Sequence, residues 1–464
     1  MLRPKLLIVL LTFGALIGYG RAVAQSFDRE YEQRAQEVVA GLTRLNGLLG
    51  WTANTPAAWP RSSDLDEDLS RASIRQMPSV TWNRAAEPAA LTGLNLTNLD
   101  LQRAADLSGL PSLKRLELSG NSLRAVNLDG DSALIHISAL KNQLTAIKVG
   151  GCPDLAHLAL SGNSLEKLDV SGNSKLMVLI VSMNKLPTLD LSRNPALTNL
   201  EAMNNRLSVL SVSANTNLTR LQVSYNQLSE LDISRNPRLT ELGVKNNNLP
   251  SLDISKNGEL VELTAGRNKL RRLDLSRNQA LAGLSVDQNL LTEMDLSRNQ
   301  ALETVEAQDN PLREITLGDN ELKKLKTLNV DGCRLPLSRL APLVGRAQSR
   351  VRFGSQENVL FDHQTVALNE TLDLSAEAVI DGSPTVFTVL SEKKRRVRPA
   401  DFSETGGIIS FKKPGLYYVE MTNARVASSE TSGASGQVRR FKTKVRTGTV
   451  EVVSRGDFES SGER

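Results

Sequence analysis

Asp190, Asp232, Asp253, Asp274 and Asp295 recur at multiples of 21 residues, and carboxylates at a fixed repeat spacing are what a ladder of calcium ions would need. Their neighbours argue against that chemistry. Ser192, Ser234, Ser255, Ser276 and Ser297 stand two residues further on, and Arg193, Arg235, Lys256, Arg277 and Arg298 stand three residues further on. Uniform columns of this kind read as structural, with serine donors and basic side chains offsetting stacked carboxylates. His136 and His157 also lie 21 residues apart, but two imidazoles without a carboxylate or thiol in their motif make a poor metal site, and they read as surface residues. His363 stands alone, and no serine, cysteine or acid sits in a motif that would make it a catalytic base. The expectation is a protein with no metal, no cofactor and no enzymatic activity.

Only two cysteines are present, Cys152 and Cys333. Both fall at repeat positions otherwise held by Asn, which predicts buried residues rather than redox chemistry. Their separation along the array is far greater than the roughly 7 Å between Cα atoms that a disulfide spans, so they are not expected to pair.

What must position these groups is a unit of 21 residues repeated ten times without a gap from Leu113 to Leu322. The unit from Leu218 carries Leu218, Leu221, Val223, Asn226, Leu228, Leu231, Ile233 and Asn236. Alternation such as Leu221 and Val223 has the period of a strand with both residues turned inward. The Asn that follows has an amide able to satisfy backbone groups of the next coil, so stacked coils should share an asparagine ladder. The second half of the unit echoes the first, as in Leu-Asp-Ile-Ser-Arg-Asn over 231–236, and leaves no room for a helix. The spacing predicts strands on both faces, with little helix, over about twelve coils.

This unit is a leucine-rich repeat and resembles the short bacterial repeats whose two halves echo each other, as in internalin J-like surface proteins. More than half the chain is covered. The resemblance implies a mainly β leucine-rich repeat solenoid at 91–345, exposed on or secreted from a bacterial cell and used for binding.

The remaining segments read as follows. Met-Leu-Arg-Pro-Lys, the apolar run Leu6 to Ile17 and Ala22-Val23-Ala24 describe a cleaved signal peptide at 1–24, so the product is expected outside the cell, with no transmembrane segment in the mature chain. Residues 25–90 place Phe27, Tyr31, Ala35, Val38, Leu42, Leu45 and Leu49 at helical spacing, and with Trp51, Trp59 and Trp82 they predict an N-terminal helical cap over the end of the solenoid. From 346 to 453 short runs rich in β-branched and aromatic residues predict a C-terminal β-sandwich. Phe411, Gly415, Tyr417 and Val419 resemble the turn and strand of immunoglobulin-like modules on bacterial surface proteins. Ala427 to Gly436 reads as a mobile loop, and 454–464 as a flexible tail carrying Arg455-Gly456-Asp457, the tripeptide integrins recognise.

The net charge of +5 is mild, and the basic run Lys393 to Arg398 reads as a solvated loop, so no nucleic acid is expected as a partner. The first half of each unit is where outward residues vary: Ile180, Glu201, Gln222 and Glu306 in one column, and Met183, Met203, Tyr225, Lys245, Arg267, Asp287 and Gln288 beside it. A rigid face with a different group on each coil suits recognition. Ile180, Met183, Met203 and Tyr225 are expected to form an apolar patch, with Lys245 and Arg267 at its border. The function these features imply is adhesion or protein binding, with a protein or glycan on a host or neighbouring cell as partner. The rival is an envelope or matrix component in which the solenoid is a spacer.

Overall fold

The computed structural model describes residues 79–83, 90–99, 101–319, 322–344, 350–432 and 437–454. The chain forms two compact units, one ending at Leu228 and the other beginning at Ser229. Both are built on leucine-rich coils, and the fold is mainly β with little helix. The expected signal peptide, the helical run at 27–49, Trp51, Trp59 and the Arg455-Gly456-Asp457 tail lie outside the described residues.

In the first unit, each coil contributes one short strand to a parallel ladder. Ala90–Asn95 pairs with Arg115–Glu117, followed in register by His136–Ser138, His157–Ala159, Val178–Ile180, Asn199–Glu201 and Arg220–Gln222. The leucines of the repeat point inward from these strands, and Leu176, Leu179, Val181 and Leu186 of one coil are all fully buried. Parallel pairing of one-coil strands needs a return path through each unit, and asparagine makes that return self-supporting. Asn184 Nδ2 donates to Leu160 O and to Val181 O, each at 3.0 Å, while its Oδ1 accepts the Leu165 N–H at 3.0 Å. The amide thus satisfies three buried backbone groups that no strand could reach.

Strands on both faces are found only in part. Gln102–Asp106 pairs with Ser122–Asn127 on the return side of the first unit, but the return halves that follow it, through Leu228, are not strands. In these return halves Asp190 Oδ1 accepts the N–H of Ser192 at 2.9 Å, a tight Asx turn. Asp295 makes the same turn with Ser297 at 2.8 Å at the end of the return strand Glu293–Asp295, so the turn by itself does not decide strand pairing. Lost ladder bonds are replaced by a second column of amides, with Asn194 Nδ2 donating to Val170 O at 3.0 Å and to Asn173 O at 2.9 Å.

At the end of the expected N-terminal cap, Ser79–Asn83 is a strand rather than helix, running antiparallel to Ala90–Asn95. It pairs with the strand that would otherwise be the open edge of the sheet, which an unpaired strand cannot be without presenting free N–H and C=O groups.

The second unit continues the pattern with Glu241–Gly243, Glu262–Thr264, Gly283–Ser285, Thr304–Glu306 and Thr327–Asn329. Return strands recur at Glu293–Asp295 and Glu314–Thr316. The coils run past the expected limit at residue 345, because Arg350–Arg352 adds one more parallel strand. Gln356 takes the ladder position there: its Nε2 donates to Val330 O at 2.8 Å and to Phe353 O, and its Oε1 accepts the Leu335 N–H at 2.9 Å.

Beyond it lie two sheets. The larger has the order Ser355–Ala367, Lys444–Val453, Gly415–Asn423, Ser383–Ser391, Val379–Ile380, and the smaller the order Thr371–Asp373, Ile408–Phe411, Phe402–Thr405. Phe411 of the smaller sheet stacks on Tyr417 of the larger with ring centroids 4.8 Å apart, so the two share a core. The expected mobile loop is also corrected. Ala427–Ser432 and Gln437–Lys442 are strands of a hairpin, and the first pairs with Arg350–Arg352 through Ser429 and Val351. Local composition favours a loop, but an open sheet edge beside it supplies backbone partners that override composition. Lys393 to Arg398 is, as expected, an exposed connection.

Candidate recognition face

The strand of each coil is followed by a turn that carries one residue in the left-handed region just before the ladder asparagine. In the first unit these are Gly120, Lys141, Gly162, Met183, Asn204 and Tyr225, with φ from 51° to 73° for Lys141, Gly162, Met183, Asn204 and Tyr225. Glycine and asparagine are the residue types that tolerate this conformation, whereas a long or aromatic side chain pays a steric penalty. The conformation is fixed by the stacking: Met183 N–H donates to Met203 O at 2.8 Å, and Asn205 N–H to Tyr225 O at 3.2 Å. The turn therefore projects Met183 and Tyr225 outward, 62% and 40% exposed.

Met183 and Met203 occupy different columns. Met203 stands in the column of Ser182 and its N–H donates to Ser182 Oγ at 3.1 Å, leaving its side chain half-buried. Ile180, Glu201 and Gln222 share the third strand position in register and are half-buried. Glu201 is engaged by Arg220, with Nε 3.4 Å from Oε1.

One coil differs from its neighbours in a way that comparing columns misses. Over Leu176 to Asn184 the sequence reads Leu-Met-Val-Leu-Ile-Val-Ser-Met-Asn, so Met177, Val178, Ile180 and Met183 together make an apolar band across the whole width of the face. Met177 is 48% exposed. Met177 and Val178 precede the strand leucine, outside the columns whose coil-to-coil variation marks a face in the sequence. Reading along this coil rather than down a column would have found them.

On the amino-terminal side of the band, in register with Val178, stands His157, which stacks on His136 with centroids 4.3 Å apart and planes 10° apart. His136 does have a carboxylate partner, contrary to the sequence reading, since Glu117 Oε1 lies 3.0 Å from its Nε2. Glu117 stands one coil earlier, two residues along the strand, and only parallel in-register stacking brings it there. Partial burial holds both imidazoles below the ordinary histidine value of 6.5. Among the described residues, no group of three or more His, Cys, Asp or Glu could hold a metal.

In the second unit the sequence-selected residues divide. Arg267 and Gln288 are exposed, both in the left-handed turn position, with φ of 55° and 53°. Gln288 Nε2 lies 3.3 Å from Asp309 Oδ2. Asp287, by contrast, is buried and is no contact residue for a partner. It is held by Ser285 Oγ at 2.9 Å and by Lys245 Nζ at 3.2 Å. Glu306 is half-buried and accepts a hydrogen bond from Asn329 Nδ2 at 2.8 Å.

The carboxylates of the return column are accounted for internally. Hydrogen bonds from Ser192, Ser234, Ser255 and Ser276, with smaller contributions from Arg193, Arg235, Lys256 and Arg277, hold Asp190, Asp232, Asp253 and Asp274 below the usual carboxylate range. Both cysteines are buried and free. His363 is on the surface, 3.3 Å from Glu451.

No family model and no curated relative matches the chain. Among solved structures, the functional domain of InlJ from Listeria monocytogenes is similar at 21% identity and a TM-score of 0.49, covering 78% of this chain and 91% of that one. An internalin, InlF, from Listeria monocytogenes is similar at 20% identity and a TM-score of 0.49, covering 57% and 81%. The leucine-rich effector YopM from Yersinia pestis follows at 25% identity and a TM-score of 0.42, covering 52% and 78%.

Proposed function

We propose that this chain is an exported bacterial binding protein that uses the strand face of its solenoid to hold a protein on a host or neighbouring cell. The observation that carries this reading is the apolar band of Met177, Val178, Ile180 and Met183. Its two methionines are among the more exposed apolar side chains of the first unit, on coils whose interior is fully packed. Exposed apolar residues bordered by polar ones are the usual mark of a partner site, and methionine adapts its shape to a partner at little cost. Backbone geometry supports the same reading, because Met183 and Tyr225 hold bulky side chains where glycine would fit with less strain.

Export rests on the basic start, apolar stretch and Ala22-Val23-Ala24 of the sequence. No helix among the described residues is long and apolar enough to cross a membrane. The two-sheet domain after residue 355 is read as an immunoglobulin-like module that presents or spaces the solenoid. It is attached firmly to the last coils: Glu377 is buried and accepts the N–H and hydroxyl of Ser338 at 3.0 and 2.5 Å, at the start of the helical turn Leu337–Leu340.

The test is binding of labelled full chain to epithelial and bacterial cells, with and without protease or glycosidase treatment of those cells. Loss of binding after protease alone supports a protein partner. Loss after glycosidase alone moves the proposal to a glycan, and absence of binding to every surface contradicts it.

A further inference from the structure

The strands that carry the stacked imidazoles are paired through their backbones, so the ladder does not depend on the charge state of either ring. They nevertheless stand where they would matter to a bound partner, because His157 is the registered neighbour of Val178. We propose that the His136–His157 stack is an acid-sensitive switch at the edge of the recognition face, closed while both rings are neutral and opened when the second ring takes a proton. This rests on the reading of the band as the partner site.

The charged groups that face the pair come from one side only. Glu117 Oε1 is 3.0 Å from His136 Nε2 and 3.2 Å from Arg115 Nη2, so the carboxylate is shared between a guanidinium and an imidazole. The strand on the other side, Val178–Ile180, contributes no titratable group. A first proton on His136 is therefore matched by Glu117. A second, on His157, meets an imidazolium at stacking distance with no carboxylate of its own, and like charges so placed must separate. Burial opposes charge on either ring and lowers both titrations, as does the neighbouring imidazole for His157. The outcome is a charge placed against Val178 in acid, at the border of a band whose use requires it to be dry. A partner gripped at neutral pH would be released in an acidified compartment.

The device can be read without the partner. His136, His157 and His363 are the only histidines, so a full chain labelled at histidine Cε1 gives three resonances, two of them from the pair. The expected result is two coupled titrations for the pair, separated by about one pH unit or more, with amide shifts at Val178 and Ile180 following the second. His157→Val, which copies Val178 of the next coil, should return His136 to a single titration. His157→Asn copies Asn199 and serves as a second variant should the first fold poorly. Two independent, uncoupled titrations for His136 and His157, with Val178 and Ile180 unmoved, would overturn the switch and leave the binding proposal standing. Cells that bind wild type about tenfold less at pH 5 than at pH 7.5, but bind His157→Val equally at both, would tie the switch to the partner.

Discussion

Lys245 and Asp287 stand two coils apart and are joined across the glycine between them, with Lys245 Nζ 3.2 Å from Asp287 Oδ2. The intervening residue of the column, Gly266, is buried, and an ideal Cβ there would lie 2.1 Å from Asp287 Oδ1. A methyl group at 266 must displace a buried carboxylate that also holds Ser285. Gly266→Ala should therefore destabilise the second unit by about 1–3 kcal/mol, measured by urea unfolding. An unchanged midpoint would show that Asp287 is free to move aside.

The left-handed turn column makes stability and recognition pull in opposite directions. Met183→Gly and Tyr225→Gly relieve a steric penalty at φ of 57° and 58°, offset in part by the greater freedom of glycine in the unfolded chain. Each should leave stability unchanged or raise it by up to about 1 kcal/mol, whereas Met183→Val, β-branched in the same conformation, should lower it. Thermal melts of the three variants provide the check, and the reverse order would contradict the assignment of strain.

Asn184 satisfies three buried backbone groups at once. Asn184→Ala strands all three and should cost about 3 kcal/mol or more. The exposed Asn204 beside the same ladder loses no such bonds, and alanine there should cost only the strain of its left-handed conformation, about 1–2 kcal/mol. Comparison of the two by chemical denaturation separates a ladder residue from a surface one.

Cys152 and Cys333 report on the two units separately. Burial, with Asp131 nearby, pushes the Cys152 thiol up to about 11, and burial pushes Cys333 up to about 12. Because the folded values are raised, the neutral thiols add stability below the free value of 9.0, and that contribution is lost as pH rises from 9.0 through the folded values. At pH 8 alkylation should follow unfolding rather than precede it. Labelling of either thiol in native protein within minutes would contradict its burial.

The interior of the solenoid was readable from the sequence because a 21-residue period places the same residue at the same depth in each coil. Leu179, Leu200 and Leu221 are all fully buried, and Asn184, Asn205 and Asn226 all donate to the preceding coil. Even Cys333 fits, its thiol 3.5 Å from Ala307 O. What the period hides is contact that depends on particular side chains. Glu117 reaches His136 in another column, and Lys245 reaches Asp287 two coils along its own column past Gly266, because side chains lean along the stack. The end regions depart further, since Ser79–Asn83 and Ala427–Ser432 become strands through pairing with sheet edges that local composition does not record.

Of the residues chosen from the sequence, Met183, Tyr225, Arg267 and Gln288 are exposed on the turn of the strand face, while Asp287 is buried and Glu201 and Glu306 are tied to neighbouring side chains. Variation from coil to coil picked out the turn column of Met183, Tyr225, Arg267 and Gln288, which is exposed, and also the column of Met203, Lys245 and Asp287, which is half-buried or buried. It could not distinguish a residue presented to solvent from one occupied by its neighbour.

The most direct test of a recognition role for the strand face compares charge introduced on that face with charge reversed on the return side of otherwise intact protein. Met177→Lys with Met183→Lys alters the apolar band, and Arg193→Glu alters the exposed return side. Binding of each to intact cells, with folding checked by circular dichroism and melting, should fall at least about tenfold for the first pair and stay unchanged for the second. Full binding by the Met177 and Met183 variant, with loss in the Arg193 variant, would place recognition on the opposite side of the coils and contradict the account.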